Sequence, residues 1–153
     1  MENNSEVKTV LFQCCVQFIE QRLKNVQTNI LEVETALTSE TKSTAGDKHE
    51  TGRAMLQLER EKFGVQLSEI NKVKQVLNKV NIEKSSKTVC LGSVVITDSA
   101  NYFIAISAAE CKVGTVTYFA IAPNTPMGLL LMGKEQGHSC EFRGRKIKIM
   151  DVF

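Results

Sequence analysis

Residues 12–37 read FQCCVQFIEQRLKNVQTNILEVETAL, and their spacing decides the fold of the first half of the chain. Phe12, Val16, Ile19, Leu23, Val26, Ile30, Val33 and Leu37 recur at alternating intervals of four and three. That is a heptad seam over about three and a half repeats, with Glu, Gln, Lys and Asn filling the wet positions. The spacing predicts an amphipathic helix over about residues 6–39, roughly 50 Å long at ~1.5 Å per residue.

The seam stops in the polar segment 38–47, which contains Gly46 and reads as a turn. Helical period resumes with Leu56, Phe63, Leu67, Ile70, Val73, Leu77 and Val80. Gly52 and Gly64 weaken this second helix by up to ~1 kcal/mol each. Folding the chain back near residue 45 sets the two seams against each other. Val26 then falls opposite Phe63, Leu23 opposite Leu67, Ile19 opposite Ile70 and Phe12 opposite Leu77. This register favours an antiparallel two-helix hairpin. Heptads do not say which chain supplies the partner, so an intermolecular coiled coil stays open.

Residues 81–88 form a polar linker, after which the period changes to two. Val89–Thr97, Tyr102–Ser107 and Thr115–Ala122 are rich in β-branched and aromatic residues and read as strands. Asn124 or Thr125 can cap a short helix with Pro126 at its first position, and Gly133 suits its left-handed C-terminal residue. Cys140–Arg143 and Arg145–Val152 pair as a hairpin turning at Gly144. In the last strand Ile147 and Ile149 face the core, while Lys146 and Lys148 face water. The fold class expected is α+β. A long antiparallel helical hairpin over 1–80, with its tip at about 40–50, precedes the linker 81–88 and a small α+β domain over 89–153.

The composition narrows the function. The chain has 153 residues, 24% charged and 42% hydrophobic, with net charge +2. These values exclude disordered, collagen-like and low-complexity classes. No apolar run approaches the ~20 residues of a membrane span, and the polar start Met1-Glu2-Asn3-Asn4 is no secretory signal. A cytoplasmic protein with no membrane partner is expected. The net charge is too small to argue by itself for nucleic-acid binding. Arg143, Arg145, Lys146 and Lys148 read as a solvated edge or as a surface toward polymerase or RNA.

Cys14, Cys15, Cys90, Cys111 and Cys140 are odd in number, include no CxxC and have two adjacent members. They read as reduced, partly buried thiols rather than a disulfide framework or a zinc ribbon. His49 and His138 are the only histidines. No nucleophile elbow or Gly-rich phosphate loop accompanies them, so no enzyme in its own right and no resident cofactor are expected.

The tip carries Gly46-Asp47-Lys48-His49-Glu50. Two carboxylates three residues apart at a helix start lie on the same side of one turn. Such a pair binds hard cations when waters or another molecule complete the shell. The same spacing is that of a capping box, with Asp47 as N-cap and Glu50 reaching back.

A helical hairpin tipped with Gly-Asp-x-x-Glu and joined to a small α+β domain resembles the Gre family of bacterial transcript cleavage factors. Leu91-Gly92-Ser93-Val94-Val95 is similar to that family's first C-terminal strand. The stretch Asn124-Thr125-Pro126-Met127-Gly128-Leu129-Leu130-Leu131-Met132-Gly133-Lys134-Glu135-Gln136-Gly137 resembles its Ser-Pro … Leu-x-Gly-Lys-x-x-Gly signature. The resemblance implies an FKBP-like C-terminal domain docked on bacterial RNA polymerase, with Pro126, Gly133 and Lys134 as docking residues. It implies a hairpin that enters the secondary channel as a monomer. There Asp47 and Glu50 would act in trans on Mg2+ shared with the polymerase and promote hydrolysis at the nascent RNA 3′ end. The chain departs from the family at Lys48-His49, at Thr51-Gly52-Arg53-Ala54 and at His138. Two other readings follow: a secondary-channel regulator without cleavage activity, and a coiled-coil adaptor whose tip carboxylates are only caps.

Overall fold

A computed structural model describes residues 3–42 and 46–153, with the side chains of 40–42 and 46–49 outside the described ones. The architecture is α+β: two long helices are followed by a mixed six-stranded sheet and one short helix. Helix α1 spans Asn4–Lys42 and α2 spans Gly46–Asn78. The chain forms two compact units, Ile19–Lys74 and Met1–Phe18 with Gln75–Phe153.

In the unit Ile19–Lys74 the two helices run antiparallel. The Arg60 guanidinium Nε meets Glu34 Oε1 at 3.1 Å, and Arg53 Nη1 donates to the Leu37 carbonyl at 3.3 Å. Both contacts fit the register expected from the two seams. Ile19, Val26, Val33 and Ile70 are buried, and Leu23, Ile30, Leu37, Leu56, Phe63, Leu67 and Val73 are half-buried. A helix pair has one seam to bury, and the wet positions between these residues stay exposed.

The other unit holds the start of α1, the end of α2 and everything after it. Here the buried stripe of α1 is Val7, Leu11 and Cys15, with Phe12 and Val16 half-buried. The heptad seam thus gives way to a different stripe. The cause is that these turns pack on the sheet portion of their own unit, to which Cys14 is covalently joined. Lys8 is also buried, and its Nζ donates to the Lys84 carbonyl at 3.2 Å, which ties residues 81–88 to α1.

The strands are β1 (Val94–Thr97), β2 (Asn101–Ile104), β3 (Glu110–Val113), β4 (Val116–Ile121), β5 (Ser139–Phe142) and β6 (Arg145–Val152), with α3 (Pro126–Leu131) after β4. Their order in the sheet is β3-β4-β2-β1-β6-β5. Only β2 and β4 pair in parallel; the other neighbours are antiparallel. Val94 and Val95 in the central strand β1 are both fully buried although they point to opposite faces, so both faces of the sheet are covered there. One core joins Val89, Val95, Ile104, Leu131, Cys140, Ile149 and Val152, with Met127 and Leu130 of α3 packed against it.

Three expectations are corrected. The strand expected over Val89–Thr97 begins only at Val94, because Gly92 adopts φ 94° and the Ser93 N–H donates to the Cys90 carbonyl in a turn. Residues 110–113, which fall between the strands expected at Tyr102–Ser107 and Thr115–Ala122, form β3, a short strand paired on one side only, with β4. Cys14 and Cys111, expected as free thiols, form a disulfide; Cys15, Cys90 and Cys140 are free. Counting and spacing could not find that pair, because the fold brings together residues 97 positions apart.

Candidate functional site

The backbone of Gly46–Glu50 is helical and opens α2. Asp47 and Glu50 therefore stand one turn apart on a single helix, a spacing that puts two residues on one helix face. The side chain of Asp47 lies outside the described residues, as do those of Lys48 and His49. Glu50 is described and exposed. One turn further on, Arg53 is half-buried and its guanidinium turns back to the last part of α1 at the Leu37 carbonyl. Among the described residues no group of three or more His, Cys, Asp or Glu could hold a metal ion.

The expected docking residues belong to the other unit. Thr125 caps α3: its Oγ1 accepts from the Gly128 N–H at 3.1 Å and donates to the Ala122 carbonyl at 2.7 Å. Pro126 takes the first helical position, where its missing N–H costs nothing. Gly133 has φ 79° just past the end of α3, the left-handed residue expected there. Its N–H donates to the Val89 carbonyl at 2.9 Å, and the Val89 N–H donates to the Lys134 carbonyl at 2.8 Å. The segment Gly133-Lys134 is thereby fixed by backbone bonds while the Lys134 side chain stays exposed. Leu129, in the middle of α3, is 67% exposed. Pro126, Gly133 and Lys134 thus bracket one short helix, with the exposed Leu129 on it and the exposed Lys134 just past its end.

His138 takes no part in a Cys-His pair. Its Nδ1 accepts from the Glu135 N–H at 2.9 Å and closes a local turn, while Cys140 Sγ points to the Leu130 carbonyl at 3.7 Å. Two features escaped the sequence reading. Lys8 sits on the buried stripe of α1, and burial lowers its amine from the ordinary 10.5, an effect the Cys90 thiolate charge partly opposes. Arg143 lies over the Phe142 ring, with its guanidinium carbon 5.1 Å from the ring centre. Adjacency of Phe and Arg at a turn was the only available signal for the second, and the first had none.

No helix among the described residues is long and apolar enough to cross a membrane. No protein-family model matches the chain, and no curated protein does. Among solved structures the chain is similar to that of the transcription factor Gfh1, at 19% identity over 88% of this chain and 90% of that one, with a TM-score of 0.34.

Proposed function

We propose that this chain is a transcription elongation factor that binds bacterial RNA polymerase through its α+β unit and inserts its helical hairpin into the secondary channel. There it stimulates Mg2+-dependent cleavage of backtracked RNA. The observation that supports the reading most is the placement of Asp47 and Glu50. They stand three residues apart at the start of α2, directly after the connection between two antiparallel helices. A hairpin of two helices has a thin seam and no deep pocket of its own, so its use is reach rather than substrate binding.

In this reading the chain's residues act by position. Asp47 and Glu50 offer carboxylate oxygens from one helix face to a site that the polymerase completes. Arg53, drawn back to the Leu37 carbonyl, is held one turn away from Glu50. Pro126, Gly133 and Lys134 present α3 to the polymerase rim. The shared Mg2+, when bound, supplies Lewis-acid activation of water at the phosphodiester. The factor is an accessory protein, monomeric, with no enzyme activity alone.

A second reading, a secondary-channel regulator without cleavage activity, is favoured by Lys48. A cation between the two carboxylates reduces the local negative potential that captures Mg2+. The test is RNA cleavage in a stalled, backtracked elongation complex at fixed Mg2+. Stimulation by the wild type, abolished in Asp47→Ala/Glu50→Ala while polymerase binding persists, is the expected result. Binding without stimulation would select the regulator. Loss of both would sink the polymerase reading and leave a coiled-coil adaptor.

A further inference from the structure

We propose that the β5–β6 turn, residues 142–148, is a binding surface for a single-stranded nucleic acid. This goes beyond the polymerase reading and does not depend on it. Phe142 and Arg145 are register partners, so the turn is the two-residue loop Arg143-Gly144. Arg143, Arg145, Lys146 and Lys148 are all exposed, and among the described residues none of the four is in an ion pair. No carboxylate falls between Phe142 and Met150. The nearest flanking acid, Glu141, is the register partner of Lys146, and Asp98 Oδ1 is occupied by the Lys148 backbone N–H at 3.0 Å. The cations therefore outnumber the acids around the turn.

Two details point to a nucleic acid rather than to a lipid surface or an acidic peptide. First, both loop residues have positive φ, 51° at Arg143 and 77° at Gly144. That geometry favours Asn-Gly, and an arginine in the first position strains the backbone. A residue held against local preference is a recognised mark of a functional position. Second, the Arg143 guanidinium lies over the half-buried Phe142 ring. A planar cation on an aromatic ring is a platform on which a base can stack, and lipids and acidic side chains offer no such flat partner. It also leaves no bare aromatic ring to anchor in a bilayer. By strand alternation Lys146 and Lys148 share the outward face, about 7 Å apart, and Phe142 the opposite one, so a flexible single strand stacked on Arg143 has to bend over the hairpin end for its phosphates to reach the two lysines. A duplex would not present its bases to the platform.

The experiment uses the full chain and a fluorescein-labelled oligouridylate of roughly 12 nucleotides, read by anisotropy. Wild type should bind, and affinity should fall about 20- to 50-fold between about 50 and about 200 mM salt, as three to four phosphate contacts require. The quadruple variant Arg143→Asn/Arg145→Gln/Lys146→Gln/Lys148→Gln should lose both the binding and the salt slope. Arg143→Asn alone should weaken binding about fivefold or more through the lost stack, with a melting temperature not below wild type, since Asn-Gly suits this turn. That outcome separates lost binding from lost folding. Binding unchanged in the quadruple variant would overturn the proposal. So would equal affinity for a duplex of the same length, or tighter binding to phosphatidylserine vesicles than to the oligonucleotide.

Discussion

Cys14, near the start of α1, is bonded to Cys111 of β3, and the two Cα atoms stand 6.2 Å apart across a sequence separation of 97. The bond crosses from the helical segment to an outer strand of the sheet. A crosslink closing a loop of about a hundred residues removes much conformational freedom from the unfolded chain, worth about 4.7 kcal/mol in the chain-entropy account. The double variant Cys14→Ser/Cys111→Ser should therefore unfold at a clearly lower urea midpoint than the oxidised wild type. Alkylation under denaturing conditions should mark three cysteines before reduction and five after it. Equal midpoints, or five marked cysteines without reductant, would show that the bond does not hold the native state.

Cys15, the next residue, is fully buried and free. Burial pushes its thiol up from the ordinary 9.0 to about 11, and a hydrogen bond with the Ile106 backbone offsets part of the rise. The folded state thus holds this proton more tightly than the unfolded state. The associated stability is complete below pH 9 and is lost as pH rises through 11, with a total of ~2–3 kcal/mol. The difference in unfolding free energy between wild type and Cys15→Ala should therefore shift against wild type across that range. Cys15→Ala should be less stable at neutral pH but should lack this alkaline component.

Lys8 should act in the opposite direction. Its amine is lowered from 10.5 by burial, so the folded state releases this proton before the unfolded state does. The unfolded state binds more protons in that window, and stability rises as pH approaches 10.5. The difference in unfolding free energy between wild type and Lys8→Met should therefore grow in favour of wild type with rising pH. A difference independent of pH would assign the role of Lys8 to its hydrogen bond with Lys84 alone.

Gly128 and Gly133 both belong to the segment around α3, for different reasons. A Cβ at Gly128 would collide with the Ala122 carbonyl and come within 2.9 Å of both the Pro123 carbonyl and Thr125 Oγ1, whereas one at Gly133 would meet nothing within 4 Å. Gly128→Ala should cost about 2–3 kcal/mol through overpacking against backbone. Gly133→Ala should cost only about 1–2 kcal/mol, the strain of φ 79° on a residue with a side chain. Urea unfolding of both variants checks the order, and the reverse order would contradict the close approach at Gly128.

The helical hairpin was legible because its cause is periodic. Ile19, Val26, Val33 and Ile70 repeat at helical spacing, and burial follows that spacing wherever a helix has one partner. The final hairpin was legible for a similar reason. The alternation of Ile147 and Ile149 with Lys146 and Lys148 matches the pleat, and Gly144 marks the turn. The cap at Thr125, the first-turn proline and the left-handed Gly133 were likewise local chemistry. The tip carboxylates were visible as a spacing, and the helical backbone at the start of α2 keeps that spacing.

What the sequence determined by itself is therefore whatever depends on neighbours a few residues away: helix faces, caps, turns and strand alternation. The tertiary structure alone decided the rest. It replaced the heptad stripe before residue 19 with Val7, Leu11 and Cys15, buried Lys8, made a strand of Glu110–Val113 and joined Cys14 to Cys111. Each of these depends on contacts between residues far apart in the chain. Periodicity reports the face a segment buries, while the identity of what lies against that face is set only when distant segments meet.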